Sequence, residues 1–480
     1  MNTVPSNSPV PNLLERFNNW LQESVMIKLF SIGFLVLILL IPSAWITDLI
    51  YERQSRANSV MDEVADKWSG QQCLSGPVLV IPFIQKDIID KGKDGVEIRE
   101  RIENAFFLPE QLSIDGTVTP NELNRGIFDA VVYTSSLQIR AAFSPPNFKR
   151  LNVAPEAVQW KDAFMVCGIS DLRGISDNPS FTVGNEKLTA EPANNIGVTV
   201  RTTTVNNADT RHSYDRDDTD ISTSSKGITA KLDWKTAEDF NGNVQMKLDL
   251  KGSKRLDFVP TGKTTDVKLS GTWKDPSFDG VFIPIDRNLT EEGFDATWKV
   301  LHFNRPFSQQ WISNNQQLSG ADFGVKLLVP VDQYQKSIRT SKYGILVILL
   351  TFIALFLVEI TNRIRIHPFQ YILIGAALII YYTLLLSLSE HFGYNLAYII
   401  ASLLTVTLVS LYSKTFITQN KLVILFTFLL LVFYTFIFVI IVQQDYSLLI
   451  GSIGLFVVVG TLMYFSRNIR WYQAPAQVAE

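Results

Sequence analysis

The sequence predicts a multi-pass α-helical membrane protein, six transmembrane helices in a 1 + 5 arrangement, with a large β-rich, sandwich-like domain inserted between helices 1 and 2. Three observations carry that reading. Five apolar runs of membrane-spanning length crowd into residues 341–466, a sixth stands alone at Leu29 to Ile46, and the roughly 290 residues between them are polar with strand-like alternation. The expected division is a cytoplasmic tail (1–28), transmembrane helix 1 (29–46), a periplasmic β-rich domain with helical stalks (47–340), a five-helix bundle (341–466) and a second cytoplasmic tail (467–480).

The spans are Leu29 to Ile46, Tyr343 to Ile360, Pro368 to Leu388, Leu396 to Tyr412, Leu422 to Val442 and Leu448 to Phe465. Each is close to the ~20 residues needed to cross ~30 Å of hydrocarbon. Orientation follows from the short loops, because Lys and Arg are retained on the cytoplasmic side. Arg363 and Arg365, then Lys414 and Lys421, then Arg467 and Arg470 occupy alternate loops, while the loops with Glu390 and Asp445 hold neither residue type. Both termini are therefore expected in the cytoplasm and the large domain in the periplasm. Arg53, Arg56, Lys336, Arg339 and Lys342 run against this pattern, but they flank a long domain, whose charge counts little. The first run is expected to stay as an anchor, since it is long for a signal peptide and Pro42 to Trp45 makes a poor cleavage site. Ahead of it, Leu13, Phe17, Trp20, Leu21 and Val25 share a helical face, which fits either a short helix lying on the membrane or an unstructured tail.

The chain has 43 basic and 46 acidic residues, and 34 and 39 of them fall between positions 51 and 340. So mildly acidic a domain carries no electrostatic footprint for nucleic acid. Cys73 and Cys167, the two cysteines, both lie in the exported stretch. A disulfide between them and a pair of buried thiols are equal alternatives at this level.

Ile46, Ile50, Ala57, Val60, Met61, Val64 and Trp68 recur at helical spacing, so the first span is expected to run on as a stalk until Ser69-Gly70 stops it. Residues 331–339 read as a second stalk leading into span two. Between them Pro77 to Phe83, Val132 to Phe143, Val244 to Leu250 and Val267 to Trp273 read as strands, with short helices near Pro155 to Ala163 and Pro306 to Asn314. Thr202 to Lys226, with Asp215, Asp217, Asp218 and Asp220, reads as a solvated loop. Clustered carboxylates also suit calcium, but the spacing lacks the Gly and Glu of an EF-hand loop.

No H-E-x-x-H, Walker loop, G-x-S-x-G or G-x-G-x-x-G is present, and no two of His212, His302, His367 and His391 are spaced as metal ligands. Catalytic residues, metal and cofactors are all expected to be none. The candidate functional residues are the ionisable groups nearest the membrane: Glu359, His367, Glu390 and His391, with Asp48 beside the first span. All lie near helix ends, where a group reaches water, and Glu359 could pair with Arg363. Glu390 and His391 are expected to face different neighbours. The partner of Glu390 is His391 or a stalk cation such as Arg53, Arg339 or Lys342.

Several blocks resemble the CreD family, the inner-membrane cell envelope integrity proteins of Gram-negative bacteria. They are SGQQ at 69–72 with GPVLVIP at 76–82, NAFFLPEQLSIDGTV from Asn104, GISDLRGI from Gly168, GTWKDPSFDGVFIPIDRNLTEEGF from Gly271, VDQYQKSIRTSKYGILVILLTF from Val331, the stretch His367 to Tyr394, and SRNIRWY near the end. The resemblance runs from about Ile27 to Tyr472 and departs from the family pattern in the N-terminal tail, the Asp-rich loop and the cysteines. It implies an inner-membrane location, this topology and a role in envelope maintenance under a two-component regulator. It supplies no reaction and no catalytic residues. The leading expectation is a non-enzymatic envelope protein whose periplasmic domain binds an envelope component or protein partner. The alternative is a transporter or lipid-handling protein that uses the ionisable groups of the bundle along a water-filled path.

Overall fold

The computed structural model describes residues 25–90, 96–203, 221–313, 318, 320–327, 332–362, 364–443 and 446–467. The chain forms two compact units, a helical one from Met1–Arg56 with Pro330–Glu480 and a β one from Ala57–Val329. Helix α1, Val25–Trp68, is 44 residues long and unbroken across the division.

The helical unit also contains α2 (Asp332–Lys342), α3 (Gly344–Asn362), α4 (Pro368–Phe392), α5 (Tyr394–Ser413), α6 (Asn420–Val442) and α7 (Ser447–Ser466). Helices α1 and α3 to α6 are long and apolar enough to cross a membrane, and α7 carries the shorter apolar stretch Leu448–Thr461. Their ends follow local chemistry. Pro368 begins α4, where a missing N–H costs nothing, and Gly393, at φ 72°, separates α4 from α5. Pro42 lies inside α1 without ending it, as membrane helices tolerate.

The β unit is a sandwich of a nine-stranded and an eight-stranded sheet. In the first the main order is Pro276–Gly280, Phe323–Leu327, Arg255–Val259, Gln72–Asp90, Phe164–Ile169, Lys226–Lys231, Glu191–Asn194. Val96–Phe107 pairs with Gln72–Asp90 off that path and carries Gln310–Ile312. The second runs Asp286–Thr290, Gly293–Leu301, Thr264–Gly271, Gln111–Arg125, Phe128–Ala142, Asn243–Ser253, Ser180–Val183, Glu186–Thr189. Leu79, Ile81 and Phe83 of the first sheet and Ile114, Leu137 and Leu248 of the second share one core. The outer face of the first sheet is covered too, with Val78, Val80 and Phe106 packed against Val198, Trp311 and Leu318. Double burial explains why Pro77 to Phe83 is continuously apolar, while Asn243–Ser253, solvated on one face, alternates.

Several expectations require correction. Pro306 to Asn314 is not helical: Gln310–Ile312 is a strand on Val96–Phe107, held by Trp311 stacked on Phe106 at 5.2 Å. Near Pro155 to Ala163 there are only 3₁₀ turns, at Pro155–Ala157 and Trp160–Asp162. The ends of the expected loop are strands, Val200–Thr203 paired with Ile221–Ser224. Asp215, Asp217, Asp218 and Asp220, like the N-terminal residues Leu13 to Leu21, fall outside the described residues. The second stalk is a helix, α2, but it belongs to the helical unit because Tyr334, Ser337, Ile338 and Ser341 form a buried stripe. Cys73 and Cys167 are not bridged. Both are buried thiols, yet they sit in different cores on opposite faces of one sheet, so the backbone between them bars a bond.

The first stalk ends as expected at Trp68, and the motif residues explain how it is fixed within the β unit. Gln72 Nε2 donates to Ser69 Oγ at 2.9 Å and to the carbonyls of Asp171 and Lys251 at 3.0 Å each. Asp171 accepts from Gly70 N at 2.9 Å and from Arg173 N at 3.0 Å, and Arg173 Nη2 reaches Asp66 of α1 at 2.9 Å. A side chain at Gly174 would run into Gln72 Nε2 and the Lys251 carbonyl, so the turn must carry glycine. Higher on the same helix Glu63 pairs with Arg125 at 2.8 Å, and Asp62 with Lys254.

Two predictions follow from this arrangement. Burial pushes the Asp171 carboxyl up, but the hydrogen bonds from Arg173 and Gly70 outweigh it and hold the group below the ordinary range. A depressed carboxylate contributes stability that is complete above its unfolded value near ~3.9 and is lost as pH falls through the lower folded value. Asp171→Ala should therefore destabilise the β unit by about 1–3 kcal/mol at pH 7. The gap to wild type should narrow below about pH 4, as followed by the sheet signal in thermal unfolding of the full chain. Separately, burial pushes the Cys167 thiol up. Both cysteines should be alkylated in denatured, unreduced protein taken from cells; protection of the pair until a reductant is added would show a bridge.

Candidate functional site

The buried face of α1 is spaced by threes and fours: Ile32, Val36, Leu39, Ile46, Ile50 and Ala57 are all buried. Two cations fall on the same stripe. Lys28 lies four residues before Ile32, and Arg53 lies between Ile50 and Ala57. Close approach of α1 to α4 is set by Gly375, where a Cβ would strike the end of the Leu39 side chain.

Each cation meets a buried glutamate. Arg53 Nη2 is 3.0 Å from Glu390 Oε2, and the other carboxylate oxygen accepts from Tyr334 Oη at 2.9 Å. Lys28 Nζ is 2.6 Å from Glu359 Oε1, and Glu359 Oε2 accepts from Tyr371 Oη at 3.0 Å. Both glutamate side chains are 3 % exposed, whereas Lys28 and Arg53 keep 28 % and 37 %. A carboxylate so enclosed requires a cation and donors, since removing one partner of a buried pair costs about 3–5 kcal/mol. The construction is the same at both places: a cation from α1, a tyrosine hydroxyl, and a glutamate near the C-terminal end of its helix. Lys28 and Arg53 are 25 positions apart, about 37 Å along a helix. That exceeds the ~30 Å hydrocarbon thickness, so each clasp falls toward one edge of an apolar layer centred on α1.

The remaining expected residues are placed otherwise. His367 is exposed and caps α4: its Nδ1 accepts from Phe369 N at 3.2 Å, and its own N–H donates to Gln370 Oε1 at 2.9 Å. His391 is exposed with Nδ1 3.1 Å from the Ser387 carbonyl, so it does face away from Glu390. Asp48 is exposed on α1. Glu390 takes Arg53 from among its expected partners. Glu359 takes Lys28, across the unit rather than one turn along, and Arg363 lies outside the described residues. Lys28, Tyr334 and Tyr371 are missed by reading the sequence alone. Their signal is faint: a lone Lys in register with the apolar stripe, and tyrosines indistinguishable from other core aromatics. Tyr334 has its hydroxyl pushed up in pKa by burial and then by Glu390, so it remains a donor.

The interior of the bundle is filled by rings. Tyr381 meets Tyr382 and Tyr434 edge-on at 4.9 Å each and Tyr398 at 5.9 Å, and Tyr398 Oη donates to the Tyr434 carbonyl at 2.8 Å. In the β unit, the outward residues of four strands of the eight-stranded sheet form a shallow polar groove of about 400 Å³, with Asp115, Gln138, Lys268, Asp295 and Thr297 in its lining. Among the described residues no group of His, Cys, Asp and Glu is arranged to hold a metal ion.

Comparison with known proteins agrees with the blocks quoted above. The family described as "Inner membrane protein CreD" matches residues 24–472. The Escherichia coli (strain K12) protein named "Inner membrane protein CreD" is 33 % identical over 459 residues, covering 94 % of this chain and 95 % of that protein. With several helices apolar and long enough to span a bilayer and a β-rich unit set between the first and the rest, the chain is a multi-pass inner-membrane protein belonging to the CreD family.

Proposed function

We propose that this protein maintains the integrity of the cell envelope without catalysing a reaction, its β unit binding an envelope component or a protein partner in the periplasm and its helices anchoring and receiving that event. The observation that carries the reading is α1. One unbroken helix is fixed in the helical unit through Lys28 and Arg53 and in the β unit through Asp62, Glu63 and Asp66. The coupling role rests on the Arg53–Glu390 pair, which holds this helix in the helical unit. The polar groove on the eight-stranded sheet offers carboxylates, amides and hydroxyls to a hydrogen-bonding ligand such as a glycan or peptide. The ring-filled bundle supports anchoring over the transport alternative, because tyrosines occupy the space an aqueous path would need.

The topology belonging to this proposal has six spans, with α7 as the sixth, and both termini in the cytoplasm. It rests on the loop charges: Arg365, Lys414, Lys421 and Arg467 fall on one side and the Lys- and Arg-free loops on the other. A cysteine placed at Asn395 should react with an impermeant thiol reagent in spheroplasts, and one at Asn362 or Gln419 should not. The reverse pattern would invert the assignment. For the coupling role, Glu390→Gln should lower envelope protection at unchanged protein abundance. Full protection by both Glu390→Gln and Glu390→Ala at wild-type levels would reduce the bundle to an anchor.

A further inference from the structure

Beside the Arg53–Glu390 clasp, α1 and α4 enclose a groove of about 280 Å³ lined by Leu49, Glu52, Arg53 and Arg56 of α1 and by Thr383, Leu386, Ser387 and Glu390 of α4. Both sets follow the spacing i, i+3, i+4, i+7, so each is one face of its helix, about 10 Å long. Both lie at the same level of a bilayer by independent reckoning. Leu49 is three residues beyond the apolar run that ends at Ile46, and Glu390 is two beyond the run that ends at Leu388. That level is the headgroup layer, where the surrounding solvent is phospholipid.

The lining has a definite charge pattern. Arg53 and Glu390 neutralise one another at 3.0 Å. Glu52 and Arg56 are exposed, one helical turn apart, and among the described residues neither has an ion-pair partner. The groove thus presents one uncommitted anion and one uncommitted cation above an apolar floor of Leu49 and Leu386, with the hydroxyl of Ser387 beside them.

The geometry points to a binding site for one zwitterionic phospholipid bearing a primary ammonium, with its phosphate on Arg56, its ammonium on Glu52 and its glycerol and upper acyl segments against Leu49 and Leu386. Arg is suited to the phosphate through its forked donors, and a carboxylate takes hydrogen bonds from a primary ammonium but not from a trimethylated one. An anionic headgroup lacking the amine satisfies Arg56 and leaves Glu52 facing like charge. The lipid seals the groove next to the Arg53–Glu390 pair, which makes it a third participant at that clasp. The site requires only that this end of α1 lie in a headgroup layer, whichever side of the membrane that layer faces.

The test uses the full chain in detergent, stripped of lipid and incubated with phosphatidylethanolamine, phosphatidylcholine or phosphatidylglycerol, with bound lipid counted by native mass spectrometry. One phosphatidylethanolamine per chain should be retained about fivefold more tightly than either of the others. Glu52→Gln should abolish that preference by weakening phosphatidylethanolamine alone, whereas Arg56→Ala should weaken all three lipids. Both residues are exposed, so circular dichroism and gel filtration should show folded variants. Equal retention of the three lipids, tighter retention of phosphatidylglycerol, or an unchanged preference in folded Glu52→Gln would overturn the proposal. None of these outcomes bears on whether the β unit binds a partner, so the two readings fail separately.

Discussion

Two buried carboxylates at the ends of neighbouring helices decide how the first helix sits in the helical unit. An ionised Glu390 enclosed by α1, α2 and α4 is tenable only because Arg53 and Tyr334 each engage one of its oxygens. Apolar packing along α1 is permissive of sliding, since Leu, Ile and Val side chains of its buried stripe interchange at modest cost. Charge is not. Shifting α1 by one residue would rotate Arg53 by about 100° out of the stripe and leave a buried anion alone. Glu359 with Lys28 repeats the device about 37 Å away along the helix, so both ends are specified. Such pairs are weak evidence for added stability, and fixing register is the use best supported for them.

The β unit uses a different kind of constraint to hold its part of the same helix. Its first sheet is buried on both faces, and a set of polar groups gathers at one strand end. Gln72, Ser69 and Asp171 meet at such an end and satisfy one another and the neighbouring carbonyls. Arg173 and Lys254 carry that network out to Asp66 and Asp62 of α1. Hydrogen bonds from Gln72 and to the Asp171 carboxylate fix the core side of this junction, while ion pairs at half-exposed positions hold the helix side.

How much of this was legible in the sequence depends on the length scale of the signal. The long apolar runs fixed the helices, and the period of three to four through Ile46, Ile50 and Ala57 extended α1 to Trp68 correctly. The alternation at Val244 to Leu250 gave a strand. Local pattern failed where tertiary partners decide: Gln310–Ile312 is a strand because Phe106 offers Trp311 a stacking surface, and Asp332–Lys342 joins the helical unit because its buried stripe, half of it serine, finds neighbours there. Glu390 and its cation Arg53 were within reach because both break an apolar pattern. Lys28 broke one too, four residues before Ile32, yet a lone Lys near a membrane edge ordinarily serves as a charged flank. The tyrosine donors were not legible, since a buried ring with a hydrogen-bonded hydroxyl and one without have the same sequence signature.

Arg53 coupled to Glu390 is the central claim, and a double-mutant cycle on that pair in the purified full-length protein measures it most directly. Arg53→Met, Glu390→Gln and the double variant would be compared with wild type by thermal unfolding in one detergent. A pair that fixes α1 predicts strong non-additivity. Each single change leaves one charged group without its partner, the buried Glu390 or the half-exposed Arg53, and lowers the melting temperature, while the double change recovers much of the loss, for a coupling on the order of 1–3 kcal/mol. Additive losses, with the double variant as unstable as the two single effects summed, would mean that the side chains act independently and that α1 is positioned by apolar packing alone.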